Sequence, residues 1–155
     1  MKRLLISTLT TIALTAIAAA GELVNIDKTG LALQGYDPVA YFTVKKPTPG
    51  NPQFTASYKG ARYQFANAEH KALFEKNPAK YEPQFGGYCG YAASIDTISP
   101  ISPDYWQVLD GRLVLQHNQK AWGLWTKDVP GNLKKADANW PHLKERKLSW
   151  IDRLF

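Results

Sequence analysis

The sequence predicts an α+β fold: a small antiparallel sheet made of β-hairpins, packed with several helices in a single domain. Three observations carry this prediction. Two stretches, 54–65 and 105–116, alternate apolar and polar residues on either side of a glycine turn, which is the period of half-buried strand pairs. Each is followed by an asparagine and a run with helical spacing. The chain has 155 residues, 45% of them hydrophobic, enough for one core without disulfide staples and too few for two comfortable domains.

At the N-terminus, Met1-Lys2-Arg3 precedes an uncharged run from Leu4 to Ala20 that ends in small residues. A basic start, an apolar stretch and small residues at its end are the marks of an export signal. Residues 1–20 are therefore expected to be a signal peptide, 22–155 the domain, and the periplasm or exterior its location. A helical extension is expected at the C-terminal end of the domain. An uncleaved anchor is the rival reading, but the run is short for a membrane span. Removing Lys2 and Arg3 lowers the formal net charge from +6 to +4. The remaining charges are mixed in sign along the chain. That favours solubility and gives no nucleic-acid signature. No integral membrane segment is expected after cleavage.

In the domain, Gly35-Tyr36-Asp37-Pro38 reads as a turn in which Asp37 accepts backbone amides and Pro38 starts a short helix. Val39 to Phe42 is a short strand or helical turn, and 45–52, with three prolines, is a loop. Phe54, Ala56 and Tyr58 then alternate towards Gly60, and Ala61, Tyr63 and Phe65 alternate away from it. Asn67 caps a helix over 68–76, which Asn77-Pro78 ends. Asp110-Gly111 centres the second hairpin, and Asn118 caps a helix over about 119–127. A helix is expected over 132–140, restarting after Pro141. Leu143, Leu148, Trp150, Ile151 and Leu154 lie among charges in the tail, which covers the core or faces a partner or membrane. The two hairpin-then-helix stretches share a pattern but differ in turn residues, and no internal repeat is assigned.

Chemistry centres on Pro83-Gln84-Phe85-Gly86-Gly87-Tyr88-Cys89-Gly90-Tyr91, which holds the only cysteine. A lone cysteine in an oxidising compartment has no internal disulfide partner. It is neither CxxC nor CxxCH, which removes dithiol exchange and c-type haem attachment. Three readings remain open: glycine-assisted packing, a metal ligand helped by imidazole, and a reactive thiol stabilised by exposed glycine amides. His70 lies three residues before Leu73 and four before Phe74, beside the apolar face of its helix. It either reaches Cys89 or is a core-edge histidine bonded to backbone. His117 and His142 read as structural or exposed. The carboxylates form no evident acid–base pair, and GxSxG, P-loop and GxGxxG patterns are absent from the sequence. Tyr88, Tyr91 and Tyr63, with the tryptophans, either line a pocket beside Cys89 or are ordinary core.

As a set, Gly35 to Phe42, Tyr58 to Phe65, Ala68-Glu69-His70, Phe74 to Pro78, Tyr81 and Pro83 to Cys89 resemble YHS-domain proteins. More narrowly, they resemble the exported single-domain members in bacteria. Trp106 to Arg112, Trp125 and Lys135 to Pro141 fit the same group. The resemblance covers about residues 30–143, which sets the expected core, and implies a small α+β module suspected of binding metals, as related cysteine-rich modules do through several cysteines. Here Ala40 stands where the Asp-Pro-Val-Cys opening has its cysteine, and only Cys89 remains. The resulting expectation is an exported, non-enzymatic module that binds a transition metal, copper or iron, through Cys89 with His70. One alternative is a small-ligand or protein-interaction module with an aromatic-lined pocket and a structural Cys89. Another is a thiol-dependent redox protein.

Overall fold

The computed structural model describes residues 22–151, and the side chains of 148–151 lie outside that description. The expected signal peptide and the tail side chains Leu148, Trp150, Ile151 and Leu154 are therefore outside the described residues.

Turn chemistry sets the course of the chain. Leu33, Gln34 and Gly35 take φ of 53°, 53° and 79°, a left-handed turn that throws the chain into α1 (Ala40–Thr43). Strand β1 (Asn51–Tyr58) pairs antiparallel with β2 (Ala61–Phe65) across Lys59-Gly60. Asn67 accepts from the His70 amide at 2.8 Å and opens α2 (Ala68–Lys76). Pro78 ends α2 as expected and begins the short α3 (Pro78–Tyr81). A second left-handed turn follows at Phe85, Gly86 and Gly87, with φ of 54°, 58° and 76°. It leads into α4 (Gly90–Ser94), then β3 (Ser102–Leu109) and β4 (Arg112–Gln116), paired across Asp110-Gly111. Asn118 caps α5 (Gln119–Thr126) by accepting from Ala121 at 2.9 Å. The last element is α6 (Val129–Ile151).

The α+β class and both hairpins agree with the sequence. The sheet differs: the hairpins form two separate two-stranded sheets. Each second strand has its outer edge covered by the segment before its left-handed turn. Leu31 bridges Arg62 in parallel, and Pro83 bridges Leu113 in the same way. Covering an edge removes the unpaired backbone groups through which the hairpins would join.

These bridges expose a repeat that the sequence reading did not assign. Residues 31–75 and 83–126 follow one backbone plan at an offset of 52 at the start and 51 from the strands onward. The strands have 8 and 5 residues in both units. The bulge between Asn51 and Thr55 recurs between Ser102 and Trp106. Ala32 N–H donates to Arg62 O at 2.9 Å, and Gln84 N–H to Leu113 O at 2.8 Å. Lys59 and Asp110 both adopt positive φ before a glycine. The shared element is the backbone; the side chains on it have diverged.

Helix α6 belongs to the second unit. It runs through Pro141 without the predicted restart, at the loss of one helical N–H. Ala136 and Leu143 bury against Phe85, Ala93, Val114 and Trp125. Asn139 Nδ2 donates to the carbonyls of Ala93 and Ser94, closing the end of α4. Arg112 ties α6 to β4 through a forked ion pair with Asp137, and its Nε donates to Gln84 Oε1 at 2.9 Å, ahead of the second left-handed turn. No helix among the described residues is long and apolar enough to cross a membrane.

Candidate functional site

Each left-handed turn is followed by a core residue whose side chain accepts backbone amides at the start of a short helix. In the first unit this residue is Asp37, which is 0% exposed. Its Oδ1 accepts from Val39 N at 2.8 Å and Ala40 N at 3.3 Å. Its Oδ2 accepts from Ala66 N at 2.9 Å and meets His70 Nδ1 at 2.5 Å. His70 Nε2 meets Thr43 Oγ1 at 3.2 Å. The carboxylate thus joins α1, the end of β2 and α2. The turn role expected of Asp37 holds, and a buried histidine is added to it.

In the second unit the same place is taken by Cys89, which is 1% exposed. Cys89 N–H donates to Ser99 O at 3.0 Å, as Asp37 N–H donates to Thr48 O at 2.9 Å. The sulfur accepts from Ala92 N at 3.4 Å, and the thiol donates to Gln116 Oε1 at 3.3 Å. Gln116 Oε1 also accepts from Tyr91 N at 2.9 Å, which fixes the orientation of its amide. Burial pushes the Cys89 thiol up, opposed by the backbone N–H groups of Ala92, His117 and Tyr91. This is opposite to the depressed thiol that a redox protein requires. The glycines around it serve close packing. A methyl group on Gly90 would lie 2.6 Å from Val114 Cγ1, and one on Gly86 would collide with Leu23 O.

The expected pairing of Cys89 with His70 is not formed. Both ring nitrogens of His70 are engaged inside the first unit, by Asp37 and Thr43, and the thiol is bonded inside the second. Among the described residues no group of three or more His, Cys, Asp or Glu is placed to hold a metal ion. With one buried thiol bonded to an amide, the donor set at Cys89 does not fit a copper or iron centre.

An open cleft of about 250 Å³ reaches Cys89 from the surface. Tyr91, Ala92 and Ile95 of the α4 segment form one wall, and Ala121 and Leu124 of α5 the other. Ser99, His117 and Lys120 add polar groups to its lining. His117 donates from Nδ1 to Pro100 O at 3.0 Å. Of the three tyrosines expected beside Cys89, only Tyr91 lines this cleft. Tyr63 is core in the first unit, its ring 4.9 Å from that of Phe74. Tyr88 rests against Trp140, with ring centroids 6.3 Å apart. A more aromatic groove, about 360 Å³, lies elsewhere, between Tyr41, Phe42, Lys45, Trp106 and Val108.

Sequence reasoning missed Gln116, Ala121 and the cleft-facing position of His117. The signal that could have found them is spacing. Gly35-Tyr36 and Gly87-Tyr88 are 52 apart, and Gly60 and Gly111, like Asn67 and Asn118, are 51 apart. Comparison with protein-family models, curated proteins and solved structures gives no match. What the fold and site define is a small α+β protein with a repeated hairpin–helix unit.

Proposed function

We propose that the chain is a small-ligand-binding module, exported and non-enzymatic, whose site is the cleft beside Cys89. In this reading Cys89 is structural: it caps α4 and forms the floor of the site. The observation that carries the reading is the cleft itself. Its walls are mainly apolar, its polar groups are few, and it leads to a buried hydrogen-bonded group, which is the common build of small-molecule sites. YHS-like ancestry, read from the sequence motifs, is compatible with such a module and belongs to the same proposal, as does export by residues 1–20. The transition-metal reading is less well supported, because His70 is committed to Asp37.

The test is a screen of flat, mainly apolar fragments against the purified protein by amide chemical shifts. Saturable shifts at Tyr91, Ile95, Ala121 and Leu124, abolished by Ala121→Phe in a variant that keeps its fold, are expected. Fragments that leave all four residues unmoved at millimolar concentration would overturn the proposal.

A further inference from the structure

The second unit covers the first much as α6 covers the second. Leu33 buries with Leu113 and Leu115, whereas its counterpart Phe85 rests on Trp140 of α6. Tyr41 OH donates to Pro103 O at 3.1 Å, and the carbonyl of its counterpart Ala93 accepts from Asn139 of α6 at 3.0 Å. Just past these contacts the two short helices end alike. Val44 and Ile95 follow them, and Lys45 and Asp96 then take φ of 57° and 59°. At the second seam the covering element meets this charge. His142 Nε2 lies 2.7 Å from Asp96 Oδ1, and Arg146 donates to Asp96 Oδ2 and to its carbonyl. At the first seam the sign is reversed. Lys45 is exposed and pairs with no carboxylate among the described residues. It lines the aromatic groove instead.

The groove is built before any ligand arrives. Trp106 stands edge-on to Tyr41 with centroids 5.0 Å apart, and Phe42 edge-on to Tyr81 at 5.3 Å. Its volume of about 360 Å³ falls in the range of roughly 300–1,000 Å³ usual for small-molecule sites. Its free polar groups are donors. The Tyr41 hydroxyl proton is committed to Pro103, while the indole N–H of Trp106 and the ammonium of Lys45 meet no acceptor among the described residues. No carboxylate lines the groove, and Asp104, which lies near Tyr41, is outside the lining. Aromatic walls favour a flat apolar body, and an unpaired ammonium at their edge favours an anion. We infer that this groove is a second binding site, separate from the cleft beside Cys89, for a planar aromatic carboxylate, its ring against Trp106 and Phe42 and its carboxylate at Lys45.

The experiment titrates the purified protein with naphthoate, with naphthamide, which keeps the shape without the charge, and with naphthylmethylammonium, which reverses the charge. The readouts are the indole N–H signal of Trp106 and the methyl signals of Val108. Naphthoate is expected to bind about fivefold more tightly than the amide at low salt, the upper scale of one exposed ion pair, and added salt should narrow the gap. Lys45→Gln should bring acid and amide level, and Lys45→Glu should turn the preference to the ammonium; both replace an exposed side chain. Trp106→Leu should weaken all three. Equal affinities for acid and amide in the wild type, or a preference for the ammonium, would overturn the inference. So would unmoved Trp106 and Val108 signals with every probe, and shifts at Ala121 and Leu124 alone would then leave the cleft reading standing.

Discussion

The two units carry one backbone to opposite ends. In the first, a buried carboxylate takes three backbone amides and a histidine, and the side chains close over it. In the second, a thiol stands in the same place, an alanine replaces the histidine, and a cleft remains. The left-handed turns, the caps and the covered strand edges are common to both, so the frame tolerates either interior. The difference teaches that the shared hydrogen bonds specify the fold, while the residues set upon them decide whether the interior closes as a clamp or stays open as a cleft.

The comparison is broken most directly at Asp37 and Cys89, whose side chains receive the amides of the short helices. Asp37→Ala leaves the buried amides of Val39, Ala40 and Ala66 without their acceptor. It should cost about 3–5 kcal/mol, as when one partner of a buried pair is removed. Cys89→Ala removes a weaker sulfur acceptor and one donor, and should cost about 1–2 kcal/mol. Urea denaturation of both variants measures the gap, and equal losses would mean that the first unit is no more tightly clamped than the second. An effect smaller than that of Asp37→Ala is expected one residue beyond Cys89. Gly90→Ala drives a methyl group against Val114 and should cost about 1–3 kcal/mol by overpacking. The first unit already carries a Cβ at the corresponding Pro38, and Pro38→Ala should cost less than Gly90→Ala in the same assay.

The protonation of the thiol separates the units by pH. With the Cys89 pKa raised above the ordinary 9.0, the folded state holds its proton more tightly than the unfolded chain. Its contribution is fully present below pH 9 and declines as pH rises from there towards the folded pKa. Wild type should lose stability over that interval, and Cys89→Ala should flatten the slope. Alkylation of folded Cys89 at neutral pH should also be slower than that of a free model thiol. The smallest expected contrast lies at the helix caps, where the geometry is alike. Asn67→Ala and Asn118→Ala should each cost about 1 kcal/mol, and a large inequality would show that the equivalence of the units stops short of α2 and α5.

The elements fixed by local chemistry were legible in the sequence. Gly60 and Asp110-Gly111 mark the hairpins, Asn67 and Asn118 the helix starts, and Asn77-Pro78 the end of α2, because each signal acts within a few residues. The repeat was hidden because its two copies solve the same backbone problem with unlike side chains: Gln34 against Gly86, Asp37 against Cys89, Phe65 against Gln116. The site was half legible. Cys89 and Tyr91 stood out by composition, but Ala121 matters for what it lacks, and a missing ring leaves no mark in a residue string. His70 was assigned to the wrong neighbour for a related reason. Its place on the apolar face of α2 was readable, whereas the distant Asp37 that holds it is set by the meeting of separate elements. Pro141 misled because proline breaks helices by default, and the anchoring of α6 by Leu143, Asn139 and Asp137 is tertiary.

Leu33 and Tyr41 come from the first unit, yet they bury in one cluster with Cys89, Leu113 and Leu115 of the second. Gln34 Nε2 donates to Ile101 O at 2.7 Å, and Tyr41 OH to Pro103 O at 3.1 Å. Neither copy therefore owns a complete interior. Severed near Glu82, the chain would yield two fragments that each expose the half of a core the other supplies. They would regain structure by associating, as complementing fragments do, and the cleft beside Cys89 would reappear only in the reassembled pair.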